Sequence, residues 1–193
     1  MGKTVTTYLI TGDPKGTRYA FIKNKICQMF VIPRSDLEYL NQQEMLHKPA
    51  FYILLGEDDS LKPKAYIGET ENFKERVKDH DVKKTFWQRA LVFVSKDADM
   101  TKADVQYLEH LAISAAKKAN TYVLNENKQT PKAQIYLNIS EMRWMSSLRI
   151  FNSLLRSLDV IYLNFLNPKQ SFFFIRKDEE VMLKASIAQR VSR

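Results

Sequence analysis

The chain has 193 residues, enough for one ordinary domain or for one domain with a sizeable extension. Its 45% hydrophobic content, with 11 Phe, 9 Tyr and 2 Trp, can fill a core and excludes disorder on compositional grounds. A single cysteine excludes an internal disulfide and a cysteine-rich zinc site, while 30 Lys plus Arg against 22 Asp plus Glu leave a net charge of +8 that suits a polyanionic partner.

The first segment, Thr4-Val5-Thr6-Thr7-Tyr8-Leu9-Ile10-Thr11-Gly12, is β-branched and aromatic and runs into the turn sequence Gly12-Asp13-Pro14-Lys15-Gly16. Strands at about 17–23 and 26–32, the latter stopped by Pro33, complete an expected antiparallel meander. Cys27 lies in the last of these apolar runs and reads as a small buried hydrophobe. Ser35 is the expected N-cap of a helix reaching about residue 46. Residues 49–55 then predict a buried strand, 56–63 a polar loop and 65–68 a second strand, paired antiparallel as a hairpin. A helix is expected over 71–80 and a third strand over 89–94. Thr101 should cap a long helix to about 118, with Asp104 completing a loosened capping box. A last helix is expected over about 139–158, and the run Phe172-Phe173-Phe174-Ile175 suggests a hairpin in the tail.

The fold class is therefore α+β: a small, mostly antiparallel sheet flanked by helices, with an N-terminal β meander and a C-terminal helical extension. The divisions fall at 1–47, 48–138 and 139–193. No basic start leads into a long apolar stretch, so neither a signal peptide nor a membrane span is expected, and the expected compartment is the cytoplasm.

Helical spacing picks out two places where charge interrupts an apolar stripe. Phe73, Arg76, Val77 and His80 share one helical face, and a solvated helix would keep Arg and His away from the side that Phe73 and Val77 bury. Val105, Glu109, Ala112 and Ala116 repeat the pattern around a single carboxylate. A lone buried carboxylate costs several kcal/mol unless it is paired or binds a cation. The plain alternative is a salt bridge from Arg76 to Glu109 tying two helices together. Tyr52 and Tyr66, on adjacent expected strands, could equally be core residues, because tyrosine is favoured in strands.

Taken in order, Ala50-Phe51-Tyr52, Tyr66-Ile67-Gly68-Glu69, Arg76, His80 and Glu109 resemble the GIY-YIG nuclease family over about 80 of the 193 residues. Ala50 and Phe51 stand where the family name has Gly and Ile, and Gly68 is expected to turn the chain out of its strand without a Cβ clash. Ile32-Pro33-Arg34-Ser35-Asp36-Leu37, Phe86-Trp87 and Tyr107-Leu108-Glu109 are similar to segments of a bacterial subgroup with a β-rich N-terminal extension. Asn125 resembles the asparagine that often closes the family pattern.

The resemblance implies a metal-dependent endonuclease that hydrolyses nucleic-acid phosphodiesters, with DNA as the expected substrate. Glu109 would be the one protein ligand of a divalent cation, Mg²⁺ or Mn²⁺, a donor set that suits an ion retaining several waters. Arg76 would stabilise phosphoryl charge through its planar fork. Tyr52 would remove or relay a proton from the attacking water, its pKa lowered by Arg76 and the metal. Tyr66 would position phosphate or water, and His80 would take a proton from Tyr52 or bond the phosphate. Lys74, Lys83, Lys84 and Asn125 are the expected nucleic-acid contacts. Two other readings stand beside this one: a GIY-YIG-like binding module without cleavage, and an interaction protein using the stripe Met145, Leu148, Phe151, Leu155 and Leu158. A monomer and a homodimer are both compatible with the sequence.

Overall fold

The computed structural model describes residues 4–96 and 100–124, together with Leu154. Asn125, the expected helix over 139–158 with its apolar stripe, and the aromatic tail lie outside these residues, Leu154 excepted.

Six strands form one open sheet: β1 (Val5–Leu9), β2 (Arg18–Ile22), β3 (Cys27–Pro33), β4 (Ala50–Glu57), β5 (Pro63–Thr70) and β6 (Trp87–Ser95). Their spatial order is β1-β2-β3-β6-β4-β5, and every pairing between them is antiparallel. The expected meander is thus present. It continues into the rest of the sheet through β3, which pairs with β6 from Cys27 opposite Ser95 to Pro33 opposite Arg89. Two α-helices follow strands among the described residues, α1 (Phe73–Lys83) after β5 and α2 (Lys102–Ala119) after β6, and α2 packs over β4 and β5.

The sheet buries both faces, which is why β3, β4 and β6 read as continuous apolar runs rather than alternating ones. On one face Met29, Phe51, Ile53, Ile67 and Phe93 pack with Val105, Leu108, Ile113 and Ala116 of α2. On the other, Phe30, Ile32, Tyr52, Leu54 and Val92 pack with Phe73 and Val77 of α1 and with Leu40 and Leu46. A register row crosses the whole sheet on this second face: Tyr8, Tyr19, Phe30, Val92, Tyr52 and Gly68 are successive partners.

Local signals explain the helix ends. Asn72 caps α1 by accepting from Glu75 N at 3.2 Å. Thr101 and Asp104 form the expected capping box on α2, and Asn120 closes that helix in a left-handed conformation (φ 50).

Three expectations need correction. The segment after β3 is not one α-helix but two 3₁₀ helices, Arg34–Gln42 and Glu44–His47. Pro33, not Ser35, stands at the first N-cap, and Ser35 Oγ instead donates to Asp36 Oδ1 at 2.9 Å. The reason is Asp36: its Oδ2 accepts from Thr17 N (2.9 Å) and Thr17 Oγ1 (3.0 Å), and the backbone there leaves helical geometry. A side chain tied to the β2 entry competes with a regular helical ladder. Second, the hairpin loop is only 58–62, because β4 and β5 run on through polar residues to Glu57 and from Pro63. Asp58 Oδ1 closes it, accepting from Ser60 N and Lys62 N, both at 2.9 Å. Third, Gly68 does not turn the chain out of β5. It lies inside the strand opposite Tyr52, and an added Cβ would come 2.5 Å from the Tyr52 hydroxyl. A glycine stands there because an aromatic side chain crosses its face.

Candidate active site

Tyr52 is fully buried on β4, and its hydroxyl meets His80 Nε2 at 2.7 Å. His80 is 3% exposed, on the turn of α1 that packs back over the sheet. Both rings are confined. Phe73 lies at 5.3 Å from the Tyr52 ring, and Tyr66 presents an edge contact to His80 at 5.1 Å between centroids. Tyr66, half-buried on β5, is 6.2 Å from Tyr52. The helical spacing that put Phe73, Val77 and His80 on one face therefore buries all three.

Arg76 sits at the margin of this pocket, its side chain 43% exposed and 3.9 Å from Asp79. It is less enclosed than its place in the apolar stripe implied. The Tyr52 hydroxyl raises the Arg76 pKa, burial opposes the rise, and Tyr66 adds to it. The salt bridge to Glu109 is not formed: no ion pair within 4.0 Å joins the two among the described residues, and Arg76 pairs with Asp79.

Glu109 arrives from the other side. Its helix, α2, packs over β4 and β5 on the opposite face of the sheet, and β5 is an edge strand. Burial raises the Glu109 pKa to about 7, the neighbouring Glu69 carboxylate adds to the rise, and Arg76 opposes it. Arg76 is thus within electrostatic reach of Tyr52, Tyr66 and Glu109 alike.

The neutral forms dominate the inner pocket. Burial, together with Arg76 and Lys84, lowers the His80 pKa to about 4, so the imidazole is uncharged at pH 7. Burial also pushes the Tyr52 phenol far above its ordinary value, reinforced by Tyr66 and only partly opposed by Arg76. Arg76 acts on Tyr52 in the expected, lowering direction, the metal's share of the expected effect standing apart from these protein groups. Desolvation of a phenolate is the larger influence.

Lys84, at the C-terminal cap of α1, places its Nζ 4.1 Å from the Tyr66 ring centroid, and Lys64 does the same over Phe86 at 4.4 Å. Burial, Lys64 and Arg76 lower the Lys84 pKa. Lys83 is exposed, 4.0 Å from Asp79, and Lys74 is half-buried on the first turn of α1, so neither adjoins the pocket as Lys84 does.

No family model, curated protein or solved structure matches this chain. The resemblance to GIY-YIG nucleases therefore stands on the sequence motifs alone. Among the described residues no helix is long and apolar enough to cross a membrane. Nor is there, among them, any group of three or more His, Cys, Asp and Glu side chains that could hold a metal ion. The donor set at the edge of β5 is one half-buried carboxylate with a second, Glu69, near it. That chemistry fits a hydrated Mg²⁺ better than a transition metal held by several side chains.

Two functional neighbours escaped the sequence reading. Glu69 was visible only as the residue after Gly68, with nothing to say that it accepts from Gln106 of α2 and acts electrostatically on Glu109. Arg34 was visible only inside the string before the first helix, and its partners lie 47 to 53 positions away.

Proposed function

We propose that the chain is a metal-dependent endonuclease of the GIY-YIG type that hydrolyses phosphodiester bonds in nucleic acid, with DNA as the substrate. The observation that carries this reading is the buried Tyr52 hydroxyl bonded to a neutral His80 Nε2 at 2.7 Å, with Arg76 beside it and half-buried Glu109 within its field.

Glu109 would hold one Mg²⁺ or Mn²⁺. A bound divalent cation would supply charge neutralisation on the phosphoryl oxygens and make a coordinated water more acidic. Arg76 binds the phosphate through its fork, and Lys84 adds a second cation at the rim of Tyr66. Tyr52 acts while protonated: it accepts a proton from the attacking water as it passes its own to His80, so no free phenolate is required. The arriving phosphate helps this relay. Arg76 and Lys84 are among the causes that hold the His80 pKa down, and an anion beside them offsets that effect. Tyr66 orients the phosphate or water at the open side of the pocket.

Plasmid nicking by the wild type and by Glu109→Gln, with Mg²⁺ or Mn²⁺ against EDTA, tests the reading, and a parallel RNA substrate tests the choice of DNA. Metal-dependent cleavage by the wild type alone is the expected result. Equal inactivity of both proteins, with nucleic-acid binding retained, would replace the nuclease by a binding module.

A further inference from the structure

Arg34 opens the first 3₁₀ helix directly after β3, far from the pocket in sequence, yet its guanidinium is spent entirely on the end of α1 and the connection to β6. Nε bonds Asp81 Oδ1 at 2.7 Å and Nη2 bonds Asp81 O at 2.8 Å. Nη1 points at three further carbonyls, Lys84 O (3.3 Å), Thr85 O (3.1 Å) and Trp87 O (3.3 Å). The same group lies 5.0 Å from the centroid of the Trp87 ring. The last carbonyls of a helix have no partner within it, and a planar five-donor fork can satisfy more acceptors in a fixed geometry than a three-donor ammonium.

The turn held in this way is the one that carries His80. The His80 carbonyl accepts from Lys84 N at 2.9 Å and from Trp87 Nε1 at 3.4 Å, so the Trp87 indole over which Arg34 lies also bonds the His80 backbone. The opposite end of α1 is fixed independently, by the Asn72 cap and by burial of Phe73 and Val77. An 11-residue helix is marginal by itself, so its two ends take their positions from different tertiary contacts. Arg76 belongs to the first set of contacts, and His80 and Lys84 belong to the second.

We infer that Arg34 is a positioning residue of the active site: it clamps the last turn of α1 so that the His80 imidazole meets the Tyr52 hydroxyl and Lys84 lies over Tyr66. The 3₁₀ segment that follows the N-terminal meander thereby forms part of the catalytic unit. The catalytic arm of this inference rests on the nuclease reading, and the structural arm does not. Releasing the turn would let water reach an imidazole that contacts Tyr52 from β4 and Tyr66 from β5 and lies in the field of Arg76, Asp79 and Lys83 from α1 and of Lys84 at its cap.

The test compares Arg34→Lys and Arg34→Ala with the wild type, measuring kcat and KM for DNA cleavage and the His80 imidazole resonances by NMR titration. For Arg34→Lys, kcat should fall at least about tenfold with KM within about twofold, since displacing a catalytic group by a fraction of an ångström is enough for such a loss. The His80 resonances should titrate nearer the ordinary histidine value, and millimolar guanidinium should recover part of kcat in Arg34→Ala. A His80 titration identical to wild type, or kcat and KM falling only in line with the folded fraction, overturns the inference. If Arg34→Ala does not fold, Arg34→Lys and Asp81→Asn decide, the latter removing the carboxylate contact while leaving the carbonyl contacts. A wild type that cuts nothing defeats the nuclease reading, while the imidazole titration still decides for or against the clamp.

Discussion

The two sides of the candidate site are built on opposite principles. On the α1 face, Tyr52 and His80 are buried, neutral and directly bonded, with aromatic rings around them and Arg34 behind the turn. On the α2 side, Glu109 is half-buried against a like charge, Glu69, and has no ion pair with the one guanidinium near it. The first arrangement is satisfied as it stands. The second holds a carboxylate that burial first, and Glu69 second, disfavours in its charged form. On the proposed function, proton transfer would have a pre-organised partner, whereas the anionic side would gain charge balance on binding an ion.

Removing the Tyr52 hydroxyl gives the largest effect that separates the sides. Tyr52→Phe leaves His80 Nε2 without its partner and should lower kcat by roughly 10²–10⁴, the usual contribution of positioned proton transfer, with Mg²⁺ affinity unchanged. A tenfold loss of Mg²⁺ affinity in that variant, read by calorimetry, would show that the two sides are one coupled unit. Gly68→Ala comes next. Its Cβ would fall 2.5 Å from the Tyr52 hydroxyl and 2.6 Å from the ring carbon bearing it, forcing the ring off His80. Overpacking of this kind costs about 1–3 kcal/mol, and kcat should drop with it. Wild-type stability and rate in Gly68→Ala would mean that the ring is free to move.

The sides also carry opposite pH signatures in thermal stability. Glu109 has an ordinary value of 4.5 and about 7 in the fold, so the folded state binds more protons between them and its contribution falls as pH rises through that window. His80 has an ordinary value of 6.5 and about 4 in the fold, so the unfolded state binds more protons and stability rises with pH from 4 to 6.5. The two partly cancel in the wild type. In Glu109→Gln the His80 slope should emerge alone, with Tm rising more steeply from pH 4 to 6.5; an unchanged profile would falsify the assignment of either group. For the same reason Mg²⁺ binding should weaken by up to about tenfold per pH unit below 7, because the ligand must be deprotonated.

The smallest effects come from the rim. Lys84→Gln should lower the slope of log affinity for DNA against log salt by about one, as for a phosphate-contacting lysine. Lys83→Gln should change it less, because that side chain is exposed and already near Asp79. Equal slopes for the two variants would remove the distinction between the lysine on Tyr66 and its neighbour.

Much of this arrangement is written in local sequence. The strands announced themselves through β-branched and aromatic runs, the α2 cap through Thr101 and Asp104, and the α1 face through the spacing of Phe73, Val77 and His80, because each depends on neighbours a few residues away. Side-chain period also placed Glu109 in an apolar stripe. What the sequence could not determine depended on contacts across the sheet or between distant segments. Gly68 read as a turn glycine until β5 was seen to pass opposite the Tyr52 ring. The Thr17 contact that breaks the helix at Asp36, and the Arg34 clamp on α1, span 19 and 47 to 53 positions. The neutrality of Tyr52 and His80 is likewise a property of the packed molecule, since desolvation exists only once the core has closed around them.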